Sequence, residues 1–315
     1  MIDVLTPYVK RVDLVLHALF EKTSYPSETI KEAMVYSLFP GGKRLRPTLV
    51  YLVGELFEVN ATALDAIAAA IEMTHAYSLI HDDLPAMDND DFRRGKPSCH
   101  KAFSEATAIL AGDALQAFAI EHLTQTLPDH LGCEITLNLI NILTKATGPS
   151  GMISGQALDL YLLNTPDLTQ STLETIHHLK TGLLIEAAIM MPVYASRHNV
   201  GWALAQHTAL LDQGPTYLKD DTHTKMQDFA SKLGFIFQVQ DDYLDAYAHP
   251  STTGKNRRSD SVNDKTTFTK FYTQIALKDK LHLEYQTLKV LLEPFGASNA
   301  ALMALIDGLE SRLNC

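Results

Sequence analysis

The chain has 315 residues, 46% hydrophobic and 20% charged, with a formal net charge of −11. That is enough apolar material for a sizeable core, and the acidity excludes the basic face that nucleic-acid binding requires. Three cysteines, Cys99, Cys133 and Cys315, form neither a disulfide framework nor a metal-ligand spacing, so a reducing cytoplasmic setting is expected.

Asp3, Lys10, Arg11 and Asp13 interrupt the first apolar segment, so no signal peptide is expected. No run of about 18 uncharged apolar residues suggests a membrane span. Helical periodicity then dominates: it predicts helices near 3–22, 28–39, 44–58, 62–84, 105–127, 134–147, 172–195, 201–212, 225–248, 269–293 and 298–312. Stops fall at Pro40-Gly41-Gly42, Pro85, Pro97, Pro128, Gly148-Pro149, Pro166, Gly214-Pro215 and Pro250 to Gly254. Strand-like alternation is nearly absent, and 213–224 reads as a surface loop. The expected architecture is all-α: one domain over 1–315, a bundle of ten or more helices around a deep central cleft.

The first chemistry-bearing stretch is Gly41-Gly42-Lys43-Arg44-Leu45-Arg46-Pro47. Its glycines permit tight turning, and Lys43 with Arg46 puts two cations within about one turn, a mobile point charge and a planar fork suited to phosphate oxygens. Alone it is a weak signal, because basic loop residues usually face solvent. On the helix that follows, His75 reads as an anion donor or a satisfied core histidine.

From Asp82 to Arg94 the chain packs five aspartates and two arginines into thirteen residues: Asp82, Asp83, Asp88, Asp90, Asp91, Arg93 and Arg94. Asp82 and Asp88 would point about 240° apart on an ideal helix, so they converge only if the helix ends between them, which Pro85 favours. Lys180-Thr181-Gly182 adds a cation and a hydroxyl.

The second acidic cluster is Asp241-Asp242-Tyr243-Leu244-Asp245. Asp241 and Asp245 are offset by roughly 40° and share a helical stripe with Gln238. A solvated acidic face would be the bland explanation of an isolated DDxxD. Here Phe235, Ile236, Phe237 and Val239 set the acids beside a core, and Lys255 and Lys265 follow. Eight aspartates in the two clusters (Asp82, Asp83, Asp88, Asp90, Asp91, Asp241, Asp242, Asp245) leave only −3 for the rest of the chain. Carboxylates this dense raise one another's pKa unless cations neutralise them. Hard oxygen ligands in small numbers describe a Mg2+ site shared with a phosphorylated substrate.

With these motifs in order, the chain resembles the short-chain trans-isoprenyl diphosphate synthases, most closely the bacterial farnesyl-forming type. The resemblance covers nearly the whole chain and is densest in 41–47, 72–100, 109–115, 151–160, 180–184 and 234–245. It implies the isoprenoid synthase fold, a homodimer, and condensation of isopentenyl diphosphate with dimethylallyl and geranyl diphosphate to give (E,E)-farnesyl diphosphate. It also implies roles. Asp82, Asp88 and Asp241 would bind three magnesium ions, with Asp83 and Asp245 in support, and Asp245 is counted among the metal ligands. Arg93, Lys180, Thr181, Gln238, Lys255 and Lys265 would contact the allylic diphosphate. Lys43, Arg46, His75 and Arg94 would hold isopentenyl diphosphate. Asp82, Asp83, Asp88, Arg93, Lys180, Asp241 and Lys255 would carry the catalysis.

The resemblance makes Tyr77, five positions before Asp82, the floor that sets a fifteen-carbon product, although periodicity alone turns it about 140° from Asp82. The chain departs from the family at Arg258 and Ser259, at Phe268 where tyrosine is common, at Ser154 where glycine is usual, and in a longer 196–228 segment. Rival readings are a terpene cyclase or head-to-head condensing enzyme, which would not need Lys43, Arg46 and Arg94, a longer-chain synthase, and a non-catalytic prenyl-binding subunit, which typically lacks one acidic motif.

Overall fold

The computed structural model describes residues 2–39, 41–162, 168–196, 221–248 and 267–314. Its helices are α1 (Ile2–Lys22), α2 (Glu28–Leu38), α3 (Leu45–Leu56), α4 (Ala61–Asp82), α5 (Cys99–Ala102), α6 (Glu105–Thr126), α7 (Pro128–Leu131), α8 (Cys133–Thr147), α9 (Met152–Leu162), α10 (Gln170–His177), α11 (Leu183–Ala195), α12 (Asp221–Tyr247), α13 (Gln274–Leu292) and α14 (Ala300–Ser311). The strands among these residues are β1 (Phe92–Arg93) and β2 (Lys96–Pro97), paired antiparallel with Phe92 opposite Pro97. The all-α expectation therefore holds.

Helix α4 is the axis of the bundle. Asn60 caps it, its Oδ1 accepting from the Thr62 and Ala63 amides at 2.9 and 3.2 Å. Its sequence is apolar on every side, and a helix of that kind has to be buried all round. Ala66, Ala69, Ala70, Ile71 and Met73 are all buried. Helix α6 packs along it, with Gly112 against the His81 ring, while α3 and α11 also pack on it.

Behind the later helices, Gln240 of α12 donates to the Leu309 carbonyl at 2.8 Å and accepts from Tyr285 at 3.0 Å, tying α12 to α13 and α14. By length and composition alone, the stretch Gln274–Asn314 would pass for a membrane span. A 3-10 segment, Glu293–Asn299, breaks it into α13 and α14, which pack together, with Gly296 in a positive-φ conformation at 56°.

Several boundaries differ from the periodicity. The helix expected over 172–195 is interrupted by a π-helical turn at His178–Gly182. Residues 221–224, read as loop, begin α12. Helix α13 starts at Gln274 because Phe268–Lys270 forms a 3-10 turn first. Helices α5 and α7 are one turn each, too short for a period to register. The helix expected over 201–212 lies outside the described residues, as do Lys255, Lys265, Arg258 and Ser259.

Candidate active site

The glycine loop enters α3 through Arg44, whose backbone is left-handed (φ 48°). Arg44 is buried, and its guanidinium donates to Asp13 Oδ1 (3.0 Å), Glu72 Oε1 (2.5 Å) and the Leu38 carbonyl (2.7 Å), stitching α1, α4 and α2 together. A Cβ on Gly41 would fall 2.2 Å from this guanidinium. The middle arginine of the loop is thus structural, a role the sequence reading missed. Lys43 is exposed on the same loop. Arg46 turns inward, its Nη1 3.3 Å from His75 Nε2. Burial lowers the Arg46 pKa, opposed by the charges of Glu72 and of Asp241 on α12. Burial and the surrounding arginines hold His75 well below the ordinary histidine range, leaving a neutral imidazole.

Helix α4 stops at Asp82, as Pro85 requires. Leu84 then donates its amide to the His81 carbonyl (3.2 Å), and the Asp88 amide returns to the Asp82 carbonyl at 2.9 Å. The turn converts six residues of sequence into neighbouring carboxylates. Burial raises the Asp82 pKa to about 6; Lys180 opposes that rise and the charge of Asp88 adds to it. Asp83 faces the other way. It is buried and held by the Arg93 guanidinium, whose Nε donates to its Oδ1 and Oδ2 at 3.0 and 3.2 Å. Arg93 also reaches Asp90 at 3.4 Å. Arg93 and Arg94 line a small crevice with Asp83, Lys96 and Cys99, beside the main cavity. The sequence reading sent these two arginines to different substrates; the fold sets them side by side. Asn89 and Arg94 adopt φ of 53°, so left-handed, non-glycine backbone concentrates around this turn, at a cost of roughly 1–2 kcal/mol each.

The π turn carries Lys180 and Thr181, an irregularity that often marks function. It is wedged between two glycines. A Cβ on Gly155 of α9 would lie 2.3 Å from the Lys180 amide nitrogen, and one on Gly234 of α12 would lie 2.8 Å from the Gly182 Cα. Lys180 Nζ donates to Asp159 Oδ2 at 2.7 Å. Asp159, on α9, is buried, and its role was not anticipated. The one available signal is that it lies four residues beyond Gly155 on the same helix.

A cavity of about 430 Å3 joins these parts, inside the ~300–1,000 Å3 range of small-molecule sites. Arg46, His75, Asp82, Lys180 and Thr181 form its polar wall; Tyr77, Leu79, Met152, Leu160, Tyr161 and Leu184 contribute apolar lining. Tyr77 is buried and lines the cavity despite its angular offset from Asp82.

On α12 the adjacent aspartates separate. Asp241 is partly exposed, with Arg312 Nη2 at 3.9 Å. Asp242 is buried, accepting from the Gln238 amide at 3.3 Å and from the Phe268 backbone N–H at 3.0 Å. Gln238 in turn accepts from the Thr181 hydroxyl at 2.9 Å. Asp245 lies one turn beyond Asp241, part-buried. Phe268, one of the departures, is wholly buried against His177, Phe235 and Tyr272. Ser154, another, donates its hydroxyl to the Pro149 carbonyl and holds the turn before α9.

Among the described residues, no three His, Cys, Asp or Glu side chains converge to hold a metal ion by themselves. Magnesium fits such a site. It binds through one or two carboxylates plus substrate phosphates and waters, not in an all-protein cage. The half-buried pair Asp82 and Asp88 supplies hard oxygens whose mutual repulsion a divalent ion would relieve.

A profile of the Polyprenyl synthetase family matches residues 27–287. The farnesyl diphosphate synthase of Haemophilus influenzae is 42% identical over 298 residues, 94% of each chain. The solved structure of a geranyltransferase from Legionella pneumophila superposes with a TM-score of 0.85 at 41% identity, covering 99% of this chain and 96% of that one. A geranyltransferase from Helicobacter pylori, solved with magnesium and isoprenyl diphosphate, gives 0.77 at 30% identity over 99% and 97%.

Proposed function

The chain belongs to the polyprenyl synthetase family, and on that premise we propose that it is a prenyltransferase that condenses isopentenyl diphosphate with dimethylallyl and then geranyl diphosphate to give (E,E)-farnesyl diphosphate. The observation that carries this reading is the single cavity whose charged wall (Asp82, Lys180, Arg46) opens directly onto an apolar pocket reaching Tyr77. A substrate with a diphosphate head and a hydrocarbon tail matches that division.

Asp82, Asp88, Asp241 and Asp245 would hold magnesium, three ions in full occupancy, with Asp83 in support. When bound, magnesium would supply positive charge that favours departure of the allylic diphosphate. Lys180, Thr181, Gln238, Arg93, Lys255 and Lys265 would grip that leaving group; Arg46, Arg94, Lys43 and neutral His75 would hold isopentenyl diphosphate.

The allylic C–O bond breaks, and the diphosphate leaves with the electron pair. The isopentenyl double bond then supplies two electrons to the allylic carbon, and a proton passes to the released diphosphate. Acceleration comes from placement and electrostatics, without a covalent enzyme intermediate. Action as a homodimer in the cytoplasm completes the reading; exposed Ile109 and Leu110 on α6 suit a partner subunit.

The test is incubation of the purified protein with Mg2+, labelled isopentenyl diphosphate and either allylic diphosphate. Farnesyl diphosphate is the expected product by chromatography. No condensation with either primer would reject the assignment.

A further inference from the structure

We propose that Lys96 is a positioning residue that aims the Arg94 guanidinium at the glycine loop and so sets the affinity for isopentenyl diphosphate, without touching that substrate. The inference rests on the prenyltransferase reading above and gives a role to a cation which that reading leaves unused.

Arg94 and Gly95 form the two-residue turn between β1 and β2, with φ of 53° and 76°. Left-handed backbone at both central positions marks the tight turns that suit a two-residue hairpin. Arg94 therefore sits at the tip, and Arg93 and Lys96 pair directly behind it across the ladder. Each of these two cations ties the hairpin to a different helix. Arg93 Nε donates to Asp83 at the end of α4. Lys96 Nζ donates to the Phe39 carbonyl, at the end of α2, at 2.8 Å, and lies 4.4 Å from the centre of the Tyr36 ring. Tyr36 completes that anchor by donating its hydroxyl to the Pro97 carbonyl at 2.7 Å.

The consequence falls on the tip. Arg93 has ion pairs to Asp83 and Asp90, whereas Arg94 has none among the described residues. Its direction is therefore set by the hairpin that carries it. With both anchors made, its guanidinium lies against Gly42, where a Cβ would stand 3.0 Å from Nη2. Gly42 directly precedes Lys43, and Arg46 follows three positions after that. The Lys96 anchor thus brings Arg94 to the loop that carries the other two cations of the isopentenyl diphosphate group. Without the ammonium, Asp83 still holds β1, but β2 loses its tie to α2 and the tip is free to leave the loop. The allylic side, gripped by Arg93 and the π turn, keeps its geometry.

The experiment is a double-mutant cycle of Lys96→Met and Arg94→Met. It reads the KM of each substrate with the other saturating, in the presence of Mg2+, and the thermal midpoint of each protein. Methionine keeps an apolar stem over Tyr36 and removes the charge with its donors. Lys96→Met alone should raise the KM for isopentenyl diphosphate about 5- to 20-fold, the scale of one weakened contact to a charged group. Its kcat and its KM for geranyl diphosphate should stay within about threefold. In the Arg94→Met background, the same substitution should change the KM for isopentenyl diphosphate less than about twofold, because nothing remains to aim. An equal rise in both backgrounds would overturn the proposal and make Lys96 a direct contact. Equal rises for both substrates, or a loss that follows the thermal midpoint, would overturn it as a general loosening of the fold. Each of those results in an active wild type defeats this inference alone, whereas a wild type that condenses neither primer defeats the reading beneath it.

Discussion

The two acidic walls of the cleft reach a similar arrangement by different means. At the end of α4, the chain stops its helix and turns back, so Asp82 and Asp88 meet across a loop. On α12, the helix runs on unbroken, and its period alone separates Asp241 from Asp242. In each pair one aspartate stays partly exposed while its neighbour is buried and fully engaged. Asp83 is engaged by a guanidinium, and Asp242 by an amide and a backbone N–H. The first wall is thus held by charge and the second by neutral donors. Doubled aspartates need not be doubled ligands.

The largest effect should come from the open member of the first wall. Asp82→Asn should reduce turnover by about 10³-fold or more, the scale of losing preorganised charge at the reacting centre. It should also raise the thermal midpoint of the ligand-free protein, because the amide avoids burying a second negative charge beside Asp88. Differential scanning fluorimetry with and without Mg2+ and inorganic diphosphate checks both parts: the variant should lose most of the wild-type stabilisation by these ligands.

Its buried neighbour should behave in the opposite way. Asp83→Ala leaves Arg93 without its main partner and should destabilise the fold by about 3–5 kcal/mol, read from urea unfolding. Asp83→Asn should retain part of that loss.

The core behind the second wall contains a titrating group that sharpens the contrast. Burial lowers the His177 pKa to about 4, from an ordinary value near 6.5. A base whose folded pKa lies below its unfolded one is protonated first in the unfolded chain. Its contribution to stability is therefore complete above about 6.5 and lost as the pH falls toward 4. His177→Phe, which keeps a ring against Phe268, should remove up to about 2–3 kcal/mol of acid sensitivity across that window. Unfolding curves of the variant and the wild type between pH 4 and 7.5 provide the measurement.

The smallest effect on rate should be at the floor. Tyr77→Ala enlarges the apolar end of the cavity without touching either wall, so turnover should stay within about tenfold. The product should lengthen beyond fifteen carbons by chromatography, and an unchanged product would remove Tyr77 as the limit.

Much of this was legible in the residues. Periodicity located nine of the described helices to within about five positions, merged α10 and α11 into one span and missed α9, and Pro85 announced the break that joins Asp82 to Asp88. Arg46, His75, Tyr77, Lys180 and Thr181, five of the candidate residues, line one cavity. What stayed hidden was long-range. Arg44 reads as one more basic loop residue until Asp13 and Glu72, 31 and 28 positions away, are seen to close on it. Asp159 has no motif of its own until Lys180 reaches it across 21 positions. The π turn leaves no periodic signal, because two glycines on other helices set it by close contact.

By itself, the sequence determined local and periodic properties: helical class, where helices stop, and which residue types could manage a diphosphate and its metal. Only the tertiary structure decided which carboxylates face the cleft and which are consumed by partners. The physical reason is that burial and hydrogen-bond pairing are properties of the space between helices. Two adjacent aspartates with the same chemistry acquire opposite roles once one of them is turned toward a donor the chain brings in from elsewhere.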